Sequence, residues 1–197
     1  METENAFRRS CAAVVTNRDV HAIVARDNLT ERGNRRVARD KMPVTPAIRA
    51  LRLAGAVYEH HLYNYQEKGG TAVSSRELGV PEHAVIKTLV MVGDSRSPLI
   101  VLMHGDCTVS TRELARQAGM KQISPCLPET AARHTGYLVG GTSPFGTRIT
   151  LPVFMEESIA SLERLYINGG KRGFLVSMTP AELMRILNPT MVNVAIP

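Results

Sequence analysis

The chain has 197 residues, 44% of them hydrophobic and 21% charged, which is the size and balance of one globular domain with room for an extension. No run of about 18 apolar residues and no apolar N-terminal segment occurs, so neither a membrane-spanning helix nor secretion is expected. The net charge of +6 suits a polyanion such as RNA, but it is spread evenly: residues 1–41 hold nine Lys and Arg against six Asp and Glu, and residues 42–197 hold fifteen against twelve. RNA contact is therefore expected as a local patch.

Residues 1–41 are Arg-rich, and their one apolar piece, Cys11 to Val15, is too short to build a core. They read as a poorly ordered basic extension, with residues 42–197 as the folded domain and Met42 as an alternative start. Mass spectrometry of native N-terminal peptides checks that start. The three cysteines, Cys11, Cys107 and Cys126, form no CxxC pair. No zinc site, disulfide framework or cofactor is expected, and a reducing cytoplasm is the expected setting.

The elements follow in order. Thr45 is placed to cap a helix that starts at Pro46, carries Ile48, Leu51 and Leu53, and stops at Gly55. Val57 to Tyr63 reads as a strand, and alternation sends His61 and Tyr63 to one face and His60 to the other. A helix is expected over 70–78, closed by Gly79. Val85 to Val92 and Leu99 to His104 read as a hairpin around the turn residues Gly93 to Pro98, Asp94 and Ser95 among them. Ser110 to Glu113 is a capping box that opens a helix closed by Gly119. Pro128 to His134 reads as a helix and Tyr137 to Val139 as a strand. Glu156 to Leu162 reads as helical, and Leu165 to Asn168 and Phe174 to Ser177 as strands. Thr179 and Pro180 open a last helix to Leu187, and Val192 to Ile196 reads as a final strand. Strands and helices interleave, yet the hairpin argues against a purely parallel sheet. The expected fold is a mixed α/β domain with a largely antiparallel sheet and surrounding helices.

Three segments could carry chemistry. In the run Val85 to Val90 the lysine Lys87 interrupts an apolar strand. It either faces solvent or sets an ammonium into a pocket, to hold a carbonyl oxygen or a phosphate. Gly140-Gly141-Thr142-Ser143-Pro144-Phe145-Gly146 is either a plain turn or a loop whose backbone approaches a ligand. Ser143 has no nucleophile elbow around it and no His or Asp paired with it by spacing. Gly169-Gly170-Lys171-Arg172-Gly173 is either a basic hairpin loop or a phosphate cradle. His104, beside Asp106, is either a base or a strand-end polar residue. No metalloprotease, Walker or dinucleotide motif occurs.

Taken in order, these segments resemble the YbaK/EbsC family, whose characterised members are Cys-tRNA(Pro) deacylases, related to the editing insertion domain of bacterial prolyl-tRNA synthetases. The matching residues are Thr45-Pro46-Ala47, His61-Leu62-Tyr63, Lys87-Thr88-Leu89, Thr135 to Gly141 with Ser143-Pro144 and Gly146, Leu151-Pro152, and Gly169 to Gly173. They span about residues 43–196. The resemblance implies a trans-editing aminoacyl-tRNA deacylase acting on Cys-tRNA(Pro) or a similar small amino acid on tRNA. It implies no metal and no protein nucleophile, and charged tRNA as the partner, with prolyl-tRNA synthetase as a further one. Lys87 is the implied catalytic residue. Tyr63, Thr88, Gly140, Gly141, Thr142, Ser143, Gly169, Gly170, Lys171 and Arg172 are the implied substrate-binding residues. The best-known members carry an acidic residue where this chain has Leu175, and they lack the stretch Met103-His104-Gly105-Asp106. Two other functions compete: a binding module that keeps the tRNA-end pocket without chemistry, and a hydrolase of small esters. An editing deacylase needs the tRNA or its 3′ adenosine; an esterase does not.

Overall fold

The computed structural model describes residues 42–94 and 96–197. The readings of residues 1–41 and of Ser95 lie outside the described residues. Helix α1 spans Pro46–Leu53, and the Thr45 hydroxyl accepts from the Ile48 amide at 3.2 Å. Ala47, Ile48 and Leu51 are buried, but Leu53 is 91% exposed. The expected apolar face thus ends at Leu51, because Leu53 lies two residues on and points away from the stripe. Burying Ile48 and Leu51 stabilises the docking of α1 by roughly 1.5–3 kcal/mol each.

Strand β1 is Glu59–Leu62 and helix α2 is Gly70–Leu78, closed by Gly79 at φ 66°. A 3-10 turn, Glu82–Ala84, leads into β2, Val85–Gly93, which returns as β3, Pro98–His104. Then come β4 (Thr108–Val109), α3 (Thr111–Gln117), β5 (Ile123–Pro125), α4 (Pro128–Thr135) and β6 (Val153–Glu156). The chain ends with β7 (Leu165–Lys171), β8 (Phe174–Met178), α5 (Pro180–Leu187), β9 (Thr190–Val192) and β10 (Ala195–Ile196). The large sheet runs β1-β8-β7-β2-β3-β6-β9, with β5 also on β2, and β10 pairs with β4 in a second, small sheet. The pairings β1–β8, β8–β7, β2–β3, β2–β5 and β10–β4 are antiparallel, whereas β2–β7, β3–β6 and β6–β9 are parallel. The sheet is mixed and mostly antiparallel, as expected.

Four details of the sequence reading are corrected. Tyr137 to Val139 is no strand but an irregular segment. Gly136 at φ 80° turns the chain after α4, and the buried Tyr137 hydroxyl donates to the Phe145 carbonyl at 2.7 Å, so the segment packs through its side chain rather than a ladder. The expected helix over Glu156 to Leu162 is a 3-10 turn, Glu157–Ser161. Val192 to Ile196 is split between β9 and β10, because the buried Glu156 carboxylate accepts from the amides of Val194 at 2.7 Å and Ala195 at 2.9 Å. Finally, β4, β5 and β6 were not foreseen; at two to four residues, they are too short to show a period.

The sheet has a core on each face. On one, Ile86, Ile100, Leu102, Leu165, Ile167 and Val176 pack with Ile48 and Leu51 of α1 and Leu183 of α5. On the other, Met91, Leu99, Val101 and Met103 pack with Leu114 and Ala115 of α3. Lys87 and Leu89 alternate onto this second face, opposite Met103 and Val101.

Candidate active site

The sheet is incomplete beside Lys87. Strand β2 pairs with β7 at Val85 and Ile86, and with β5 from Met91 to Gly93. Between these points, among the described residues, no strand pairs with Lys87 to Val90 on that edge. A cavity of about 880 Å³ opens there, within the roughly 300–1,000 Å³ range of small-molecule sites.

Lys87 is half-buried in the cavity wall, and its ammonium donates to the Cys107 carbonyl at 2.5 Å. An ammonium has three N–H donors, so two remain for a ligand. Thr88 also lines the cavity, and its hydroxyl oxygen is buried without a partner among the described residues. Tyr63, just past β1, lines the cavity and burial pushes its phenol up. The wall holds three cations, Lys68, Lys87 and Arg172, and one carboxylate, Glu67, a balance that favours an anionic or carbonyl-bearing ligand. Val85, Leu89, Val109, Ala131, Val139 and Leu175 give the wall an apolar share.

Both glycine-rich segments meet at the rim. Asn168 ties them together: its amide nitrogen donates to the Gly140 carbonyl at 3.1 Å, and its oxygen accepts from the amides of Gly170 at 2.8 Å and Lys171 at 3.2 Å. Arg172 adds a second tie, donating to the Val139 carbonyl at 2.9 Å while its guanidinium lies 5.3 Å over the Tyr65 ring. Gly141 allows the close approach, since a Cβ there would lie 3.0 Å from the Arg172 amide nitrogen.

Of the residues anticipated from sequence, Lys87, Tyr63, Thr88, Gly140, Thr142 and Arg172 line the cavity. Gly141, Ser143, Gly169, Gly170 and Lys171 do not. The Gly141 amide donates to the Leu138 carbonyl at 2.9 Å, which uses the donor anticipated for an oxyanion. Ser143 is fully buried and its hydroxyl accepts from the Phe145 amide at 3.4 Å. Gly169 faces the core, where a Cβ would meet the Phe174 ring at 2.6 Å, and its carbonyl accepts from Thr45. His104 is no free base. Burial is the main reason its pKa is lowered, and both ring nitrogens are engaged: Nδ1–H donates to the His83 carbonyl at 2.6 Å and Nε2 bonds the Ser158 hydroxyl at 2.8 Å. His61 shares the cavity-side face of the sheet with Tyr63 but bonds Ser177 at 2.8 Å, while His60 stacks on Phe174 on the other side.

Sequence reasoning missed Asn168, Tyr65 and Cys126. Asn168 left a signal, because an Asn directly before Gly-Gly commonly bonds the backbone of its own turn. Tyr65 and Cys126 left none; the fold alone brings them to the wall. Burial pushes the Cys126 thiol up, and no histidine lines the cavity among the described residues.

The family model of the aminoacyl-tRNA editing domain matches residues 68–186. A protein of Enterococcus faecalis, provisionally named as the Cys-tRNA(Pro)/Cys-tRNA(Cys) deacylase EbsC, is 26% identical over 145 residues, covering 73% of this chain and 88% of that protein. The proline–tRNA ligase of Thermodesulfovibrio yellowstonii is 28% identical over 127 residues, which cover 64% of this chain but 20% of the ligase. A crystal structure provisionally described as a trans-editing enzyme for prolyl tRNA synthetase superposes with TM-score 0.70 at 21% identity, over 79% of this chain and all of that one, and so shares the fold. The match to the family model spans well over half of the chain, and its glycine-rich loops and Lys87 frame one cavity: the chain belongs to the aminoacyl-tRNA editing domain family.

Proposed function

We infer that the protein is a trans-editing deacylase, which cleaves the ester joining a wrongly attached amino acid to the 3′ end of a tRNA. The observation that carries this reading is the half-buried Lys87 ammonium, anchored by one N–H to the Cys107 carbonyl inside a cavity large enough for a terminal nucleoside and a small amino acid. The family membership supports the ester as substrate. Editing suits such a cavity, since one pocket discriminates weakly between small amino acids and a second site must remove the errors.

Among the described residues of the cavity wall, no histidine stands beside a hydroxyl or thiol. Catalysis would then rest on positioning and on charge stabilisation. The free N–H groups of Lys87 meet the ester carbonyl oxygen, where negative charge develops as the carbonyl carbon is attacked. With a cysteinyl ester the nucleophile is the substrate's own thiol. Its sulfur bonds to the carbonyl carbon, the ribose oxygen leaves with the thiol proton, and water opens the resulting four-membered thiolactone to free cysteine. An ester without a thiol needs water as nucleophile. Tyr63 and Tyr65 offer stacking surfaces for the terminal base, the mode by which single-stranded RNA ends are read, and Arg172 offers a phosphate contact. Charged tRNA is the partner, and the likeness to proline–tRNA ligases makes tRNA(Pro) and its synthetase the first candidates.

The test is deacylation of a panel: Cys-tRNA(Pro), Ala-tRNA(Pro), Cys-tRNA(Cys), Ser- and Thr-charged tRNAs, and correctly charged Pro-tRNA(Pro). Loss of one mischarged species with Pro-tRNA(Pro) spared is the expected result. Survival of every ester, with the tRNA end still bound, would replace this reading by the binding module, and cleavage of simple esters without tRNA by the esterase.

A further inference from the structure

At the bend whose Cys107 carbonyl anchors Lys87, three side chains able to ligate a metal converge from two turns that are distant in sequence. His83 lies in the 3-10 turn before β2; Asp106 and Cys107 lie in the bend after β3. His83 Nδ1 is 3.0 Å and 3.1 Å from the two Asp106 carboxylate oxygens, and Cys107 Sγ is 3.5 Å from one of them. All three ligand atoms lie within 4.8 Å of one another. Tetrahedral zinc, with bonds of about 2.0–2.3 Å, sets its ligand atoms about 3.3–3.8 Å apart, so small side-chain movements would close these atoms around one ion.

We propose that His83, Asp106 and Cys107 form a zinc site with its fourth position open to solvent. The donor set is one nitrogen, one carboxylate oxygen and one sulfur, a set that zinc takes and that the oxygen-seeking magnesium and calcium do not. A thiolate, a carboxylate and a neutral imidazole balance the two positive charges of the ion. On binding, the thiol proton leaves to solvent, and the imidazole proton moves from Nδ1 to Nε2, so that the Nδ1 lone pair faces the metal. The side chains of His83 and Asp106 are each 45% exposed, which gives the ion a way in.

The surroundings hold the ligands in place. His104 stacks on the His83 ring with centroids 3.6 Å apart and planes 11° from parallel, and also bonds the His83 carbonyl. The Thr71 hydroxyl bonds Glu82 at 2.6 Å and the Gly105 carbonyl at 3.1 Å, joining the residues directly before His83 and Asp106. Gly105 lets the turns meet, since a Cβ there would lie 2.5 Å from the Glu82 carbonyl oxygen. Such outer support sets ring orientation and affinity in metal sites. The bound ion would also stiffen the bend whose carbonyl anchors Lys87.

The experiment uses the full chain, reduced and metal-stripped, titrated with Co²⁺ as a coloured stand-in and with Zn²⁺ against a chromophoric chelator. The expected result is one equivalent of Co²⁺, a thiolate-to-cobalt absorption band, and displacement by Zn²⁺ but not by Mg²⁺. Cys107→Ser should remove the band, while Cys11→Ser and Cys126→Ser keep it. His83→Ala and Asp106→Asn, at exposed side chains that can change without unfolding the domain, should each weaken Zn²⁺ binding by about 100-fold or more, above the roughly 10–100-fold effect of outer-shell losses. The absence of a saturable band, a band that survives Cys107→Ser, or Zn²⁺ binding untouched by both His83→Ala and Asp106→Asn would overturn the site and leave a hydrogen-bonded His–Asp pair beside a thiol. The readout is metal binding, so this outcome is independent of the deacylase reading.

Discussion

At the scale of single residues, Lys87 is the sharpest case, because its ammonium serves a site while its stem fills a strand position. Lys87→Ala is expected to lower the deacylation rate by about 100–1,000-fold, the range for losing one donor to a developing oxyanion. It also leaves the Cys107 carbonyl without its partner, a destabilisation of about 1–3 kcal/mol, so the variant should remain folded by circular dichroism. Full activity in this variant would remove Lys87 from the mechanism. The sequence showed that a lysine interrupts an apolar strand but left solvent and pocket equally open. Only the gap between the pairings at Ile86 and Met91 decides that this lysine faces a cavity. Leu175, buried at 4% exposure and on the cavity wall, adds apolar surface where a carboxylate stands in the best-known relatives. Leu175→Asp should therefore change which amino-acid ester is preferred, read as a ratio of kcat/KM values between two charged tRNAs.

Among the elements, the two glycine-rich loops work as one rim because Asn168 bonds both. Asn168→Ala removes three hydrogen bonds and should raise KM for charged tRNA by about tenfold, as a loss of about 1.4 kcal/mol in binding implies, with a smaller change in kcat. Equal losses in both would indicate a part in the chemistry itself. Gly146 makes a different demand. It sits at φ 60°, and a Cβ there would lie 2.5 Å from the Pro46 carbonyl oxygen at the start of α1. Gly146→Ala should cost more than about 2 kcal/mol from the left-handed backbone and the clash together, a fall in Tm of at least roughly 4 °C. A Tm within 1 °C of the parent would show that the loop can move away from α1. Helix signals in these elements were legible because caps are local: Thr45, Ser110 and Thr179 each accept from an amide three residues ahead, at 3.2, 3.3 and 3.2 Å. Tyr137 to Val139 misled for the same local reason, since an aromatic and a β-branched residue suit a strand equally well when their contact lies eight residues away at Phe145.

For the molecule as a whole, three histidines, the buried His104 and the part-buried His60 and His61, tie stability to pH. His60, His61 and His104 all have pKa values lowered from 6.5, each chiefly by burial, with Arg52 adding to the effect at His60 while Glu59 opposes it at His61 and Asp106 and Glu156 oppose it at His104. Below 6.5 the unfolded chain binds more protons than the folded one, so this stability is fully present above 6.5 and is lost as pH falls through the lowered values. The urea midpoint should be lower at pH 5.5 than at pH 7.5. Glu182, held down to about 2 chiefly by the Arg185 hydrogen bonds, works in a window below 4.5 and does not interfere. Equal midpoints would mean that these rings keep their ordinary proton affinity in the fold.

The order of short motifs determined, from sequence alone, the family, the mixed fold and the helix starts. Each of these rests on local backbone preference or on residues that stand close together in the chain. Which of the marked residues share a cavity was decided only by tertiary structure. The Lys87 anchor spans 20 residues, the Asn168 tie to Gly140 spans 28, and the Thr45 hydroxyl reaches Gly169 across 124. Such pairs have no period and no fixed spacing, because sheet order sets their distance in space and the intervening loops set their distance in sequence.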